Sequence, residues 1–190
     1  HASNRARVRF VPMTGVAEQQ REKLPDPAEP TLYNGSFEQT IDEEGRIPSG
    51  WHYLRAAAVA EASDAPDGSR VLRFENLAPG EPSRALQGLA VDGRQVTRLD
   101  AGLSARGDNL AAGPTAEQTP AAMLTFYDAR RAVIDNVVLA RFRGDFDWRR
   151  IRREILVPLA AREAIFRVGL LGGTGRLDVD DLQLVRIRSE

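Results

Sequence analysis

The chain has 190 residues and a formal net charge of -1, long enough for one domain with a substantial core and too balanced for long-range attraction to nucleic acid or an anionic membrane. It contains no cysteine, which excludes disulfide staples, thiolate metal sites and a cysteine nucleophile. No apolar run approaches the roughly 20 residues of a membrane helix, and no charged-then-apolar leader precedes Ser3, so neither nucleic acid nor membrane insertion is expected.

Residues 1–30 read as an N-terminal extension. The alternating stretch Arg5-Ala6-Arg7-Val8-Arg9-Phe10-Val11 suggests a strand, and the polar, proline-dotted run through Lys23-Leu24-Pro25-Asp26-Pro27 a linker. The domain is expected to occupy residues 31–190. Within it, apolar and β-branched runs recur between turn signals. They predict strands at 32–38, 51–59, 70–75, 85–91, 97–105, 122–127, 133–142, 149–157, 165–171 and 177–188. Turn residues fall between them at Asp67-Gly68, Asp92-Gly93, Gly144-Asp145 and Gly172-Gly173-Thr174-Gly175, and residues 107–119 read as a long loop. Short strands at this spacing, with no convincing helix, argue for an all-β sandwich.

Alternation assigns faces. Ile151, Ile155 and Val157 share one side of their strand and Arg150, Arg152 and Glu154 the other. Arg153 has the buried parity, so it is expected at an edge, beside a carboxylate or in a bulge. In the ninth strand Phe166, Val168 and Leu170 point inward, opposite Ile165 and Arg167. Carboxylates also sit among the alternating residues at both ends of the domain. If those ends meet, Glu38 and one of Asp180 or Asp181 could hold a hard, oxygen-ligated cation. The competing reading leaves the aspartates solvated and pairs Glu38 with an arginine. Parity favours Asp180, which would share a face with Leu182 and Leu184.

The ordered elements Asn34-Gly35-Ser36-Phe37-Glu38, Gly50-Trp51, Asp67-Gly68-Ser69, Leu72-Arg73-Phe74, Phe126-Tyr127-Asp128, Asp147-Trp148, Val157-Pro158, Val168-Gly169-Leu170 and Val179-Asp180-Asp181-Leu182-Gln183-Leu184 give the chain a family likeness. It resembles the carbohydrate-binding modules of the galactose-binding-like jelly-roll class, notably those attached to xylanases and glucanases. The resemblance implies a jelly-roll β-sandwich of two antiparallel sheets. It also implies a structural calcium held by Glu38 and Asp180, with carbonyls near Gly35 and in the Asp67-Gly68 turn, and with Asp181 as the substitute ligand. It further implies export to an extracellular or periplasmic setting, and a companion catalytic domain or protein partner.

A polysaccharide or oligosaccharide needs aromatic planes for its ring faces and polar groups for its hydroxyls. Tyr53 and Tyr127 are the candidate planes, while Trp51 and Trp148 read as packing residues. Gln87, Arg98 and Arg167 are the candidate polar contacts, expected to project opposite the apolar side chains. The run Arg141-Phe142-Arg143-Gly144-Asp145-Phe146-Asp147-Trp148-Arg149-Arg150 offers a further idea, an anionic polymer held by arginines and rings, but a solvated hairpin with cross-strand ion pairs accounts for it more simply. His52 is the only histidine besides His1, which excludes multi-histidine zinc sites. A non-catalytic sugar-binding module is therefore expected, with a structural or protein-interaction jelly roll as the alternative and a polysaccharide lyase or glycosidase behind it.

Overall fold

A computed structural model describes residues 25–188, so the strand expected at Arg5 to Val11 lies outside the described residues. The described part contains strands β1 (His52–Arg55), β2 (Ala57–Glu61), β3 (Arg70–Asn76), β4 (Arg84–Ala90), β5 (Arg98–Ala111), β6 (Ala121–Tyr127), β7 (Val133–Arg141), β8 (Gly144–Leu156), β9 (Glu163–Gly169) and β10 (Thr174–Arg186), and no helix. They form two five-stranded antiparallel sheets, ordered β1-β4-β9-β6-β7 and β2-β3-β10-β5-β8. We call these the first and second sheets.

The expected alternation builds the layer between them. Ala85 and Leu89 of β4, Leu124 and Phe126 of β6 and Phe166 and Val168 of β9 meet Leu72 and Phe74 of β3, Leu99, Ala101 and Leu103 of β5 and Leu177 and Val179 of β10 in one buried cluster. Trp51 lies in that cluster, 5.4 Å from Phe37 and 6.2 Å from Phe166 between ring centroids, and its Nε1 donates to the Asn34 carbonyl at 3.2 Å. It is a packing residue, as expected.

Several predicted elements change form. Residues 32–38 are no strand: Asn34 and Phe37 adopt positive φ of 51° and 59°, and the Asn34 side chain holds the resulting turn by donating to Gln39 O and Ser49 O. The segment still meets β10, because the Leu182 amide donates to the Gly35 carbonyl at 3.0 Å. Only glycine permits that approach, since a Cβ on Gly35 would stand 2.0 Å from Leu182 O. The predicted strand 51–59 breaks at Ala56, which has a φ of 44°, and its halves enter different sheets. β5 continues through Ala111, well into the stretch read as loop.

The 141–150 run is not a hairpin within one sheet. β7 edges the first sheet and β8 the second. The ion pairs of β8 accordingly run inward along its own sheet, from Arg152 to Asp100 of β5 and from Arg150 to Asp181 of β10. Arg153 sits on this edge strand and donates to the Val138 carbonyl of β7, which resolves its unusual parity in favour of the edge.

Candidate functional site

The outer face of the first sheet is laid out by strand register. His52 of β1 stands opposite Leu86 of β4, Leu86 opposite Arg167 of β9, Arg167 opposite Met123 of β6, and Met123 opposite Val138 of β7. The next row runs Gly88, Ile165, Thr125 and Asn136. Nothing lies within 4 Å of where a Cβ on Gly88 would project, so the floor is open there. Two hollows of about 320 and 350 Å³ share Glu117, Met123 and Arg167. Arg84 and Gln118 line one, and Asn136 and Arg141 the other. Glu117 and Gln118 come from the 112–120 loop, which forms a wall beside this face.

The polar groups here are held in position. Arg167 lies along Met123, with Nε and Nη2 3.2 and 2.6 Å from Sδ. The Thr125 hydroxyl donates to Asn136 Oδ1 at 2.6 Å, so the Asn136 amide hydrogens remain free as donors. Hydroxyl-bearing ligands can use such donors, together with the Glu117 carboxylate as an acceptor.

The residues chosen from sequence are divided by the structure. Arg167 is at the centre of the cleft. Tyr127 lies on the same face, since its neighbour Phe126 is in the core and its cross-strand partner Glu163 points outward. Tyr53 is on edge strand β1, 70% exposed. Neither tyrosine lines the two hollows. Arg98 belongs to the second sheet, where it donates to Glu154 at 3.1 Å. Gln87 points inward, not outward as expected, because it shares the parity of Ala85 and Leu89. There it accepts from Tyr33 N and donates to Tyr33 O and Gly50 O, bracing the segment before β1. Arg84, Met123, Asn136, Arg141 and Glu117 were not chosen from sequence. Of the cleft residues, outward parity flagged Arg167 alone, Arg84 falls just before the predicted strand 85–91, and which strands are neighbours depends on long-range pairing.

The outer face of the second sheet carries a different arrangement. Asp178 is buried and receives Arg73 Nε and Nη2 at 2.8 and 2.9 Å and Arg106 Nη2 at 2.8 Å. Burial acts to raise its pKa, but the two guanidiniums outweigh it and hold the carboxyl below the usual range. Arg106 also pairs with Asp64 at 2.7 Å and lies 4.8 Å from the Trp148 ring centroid. A hollow of about 510 Å³ on this face is lined by Arg106, Asp108, Phe146 and Arg176, among others, and its guanidiniums are already paired, Arg176 with Glu75 at 3.5 Å.

Beside that network lies the acidic closure expected from the sequence. Asp180 Oδ2 accepts from the Asp67 amide and Oδ1 from the Asp181 amide, both at 2.7 Å. Glu38 Oε1 accepts from the Ser69 and Arg70 amides, both at 2.8 Å. The two carboxylates therefore grip one turn, and Gly68 in it has a φ of 85° and would place a Cβ 2.4 Å from Glu38 Oε1. Asp180 is fully buried with no cationic partner among the described residues, and burial pushes its carboxyl up to about 7. Asp181 is instead engaged by Arg150 at 2.5 Å. Asp180 does not share a face with Leu182 and Leu184 as parity suggested. The register shifts between Asp180 and Gln183, and Asp181 has a φ of 51°, so Leu177 and Val179 before the bulge and Leu182 and Leu184 after it all reach the core.

A buried, unpaired carboxylate is the kind of group a hard cation neutralises. Both Asp180 oxygens and Glu38 Oε1 already accept main-chain amide hydrogens. Among the described residues no three carboxylate or imidazole groups cluster, so Glu38 and Asp180 would need main-chain carbonyls to complete the coordination.

No protein-family model matches the sequence, and no curated protein matches it. Solved structures do. A family 16 carbohydrate-binding module aligns over 82% of this chain and 99% of its own, with 15% identity and a TM-score of 0.54. The chain has the jelly-roll fold of carbohydrate-binding modules. The first family 22 module of Paenibacillus barcinonensis Xyn10C, a xylan-binding domain, aligns over 88% of this chain and 99% of its own, with 11% identity and a TM-score of 0.54. The enzymatically active domain of bacteriophage CBA120 tailspike protein 4 reaches a TM-score of 0.61 at 16% identity over 82% of this chain, which spans only 21% of that larger one.

Proposed function

We propose that the chain is a non-catalytic carbohydrate-binding module that holds a polysaccharide or oligosaccharide across the outer face of the first sheet. The observation that carries this reading is the cleft built on Arg167 and Met123, with Asn136 donors and the Glu117 carboxylate around it. Its fold likeness to modules that align over nearly their whole length supports the reading. Tyr127 and Tyr53 extend the face toward its margins and supply rings for stacking. On the opposite face Asp178 and Asp100 are tied to arginines, so neither stands free as an acid or base for hydrolysis.

A calcium ion on Glu38 and Asp180 would act as a brace in this scheme, neutralising Asp180 and tying the segment before β1 to β10. Export, and a catalytic domain delivered to its polymer by this module, complete the proposal. Affinity electrophoresis against a panel of neutral and acidic polysaccharides tests it. Retardation by at least one polymer, reduced in Arg167→Ala, is the expected result, and no retardation by any polymer would refute it. The second reading, a protein-interaction jelly roll, has its support in Leu156 and Leu159, both 73% exposed at the end of β8 and just beyond it.

A further inference from the structure

The cleft face carries arginine on almost every strand. Arg55 of β1, Arg84 of β4, Arg167 of β9 and Arg141 of β7 cross the first sheet, and Met123 of β6 supports Arg167 where the stripe would otherwise be interrupted. Five strands at about 4.8 Å spacing make this stripe roughly 20 Å long. None of these guanidiniums has a carboxylate within salt-bridge distance among the described residues. Arg55 and Arg84 are direct cross-strand partners, a like-charge placement that costs stability unless something relieves it. Glu117 is the one carboxylate lining the hollows, and the free Asn136 hydrogens add further donors.

A neutral glycan presents hydroxyls that both donate and accept, and so asks for a mixture of partners. A donor-rich stripe with unneutralised guanidiniums suits a group that only accepts and carries negative charge. Arginine's planar fork matches a carboxylate with two parallel hydrogen bonds. We propose that this cleft takes an acidic glycan whose sugar carboxylates sit on the Arg84-Arg167-Arg141 stripe. The proposal rests on the reading of this face as the glycan site and names the chemical class of its ligand.

The test titrates the whole chain with polygalacturonate, with the same polymer after reduction of its carboxyl groups to alcohols, and with dextran sulfate. Polygalacturonate is expected to bind at least about tenfold more tightly than the reduced polymer, as loss of charge-assisted bidentate contacts requires. Its binding should weaken severalfold as salt rises from about 0.05 to about 0.5 M, because the stripe is exposed to screening. Arg167→Gln and Arg84→Gln should each weaken it about tenfold. Arg84 is exposed, so its variant keeps the test open if Arg167→Gln alters the sheet. Equal, salt-insensitive binding of the acidic and reduced polymers would overturn the charge assignment while leaving the glycan cleft in place. Tighter binding of dextran sulfate than of polygalacturonate would overturn the carboxylate as the recognised group. Binding of no glycan at all would overturn the cleft reading on which the proposal stands.

Discussion

The two outer faces of the sandwich use arginine in opposite ways. On the second sheet Arg73, Arg98, Arg106, Arg150, Arg152 and Arg176 each meet a carboxylate of another strand or a loop, Arg150 reaching past β5 to Asp181 of β10. On the first sheet Arg55, Arg84, Arg141 and Arg167 have no such partner among the described residues, and Arg167 rests on a thioether. The same side chain is thus a structural tie on one face and an unspent donor on the other. Composition alone conceals this, since the formal net charge of the whole chain is only -1.

The contrast is sharpest at Asp178, whose side chain is 2% exposed. Replacing it with alanine leaves two guanidiniums facing a buried hole and is expected to cost about 3 kcal/mol or more, read by denaturant unfolding. A loss below about 1 kcal/mol would break the claim that this face is structural.

Cation removal is expected to have the next largest effect. If Glu38 and Asp180 hold calcium, the metal at a hundredfold excess over its Kd adds about 2.7 kcal/mol of stability, and the melting midpoint falls when chelator is added. Asp180→Asn should abolish that response, and an unchanged midpoint in the parent chain would remove the ion from the account.

Metal-free protein gives a pH signature with a defined sign. The Asp180 carboxyl is raised to about 7 in the folded chain, against about 3.9 when unfolded. Between these values the unfolded state binds fewer protons, so this residue lowers stability as pH rises from about 4 toward 7. In chelator, Asp180→Asn should therefore match the parent near pH 4 and exceed it increasingly toward pH 7. Asp178 has the opposite sign: its depressed carboxyl contributes fully above the unfolded value and loses that contribution as acid drives pH down through the folded one. The smallest effect belongs to Arg152→Gln, an exposed tie to Asp100, expected to change stability by less than about 1 kcal/mol.

Much of this was legible in the residues. Period-two alternation in Phe166 and Val168 against Ile165 and Arg167 places the core and the outward, half-buried guanidinium correctly, and Glu38 and Asp180 do converge on the Asp67-Gly68 turn. What failed depends on backbone signs and distant pairing. Positive φ at Asn34, Phe37 and Ala56 broke two predicted strands, and the bulge at Asp181 reversed the parity argument for Asp180. Gln87 obeyed its parity inward, where only a long-range hydrogen-bonding need of Tyr33 and Gly50 explains a buried amide. The cleft itself came from five strands scattered between residues 52 and 169, and no local pattern announces that Arg84, Met123 and Arg141 will share a surface.

The most direct test sets one arginine of each face against the other in glycan binding. For a polysaccharide that retards the parent chain, Arg167→Gln is expected to weaken affinity about tenfold, with Arg152→Gln unchanged. Undiminished binding in Arg167→Gln, or an equal loss in Arg152→Gln, would contradict the assignment of the ligand to the first sheet.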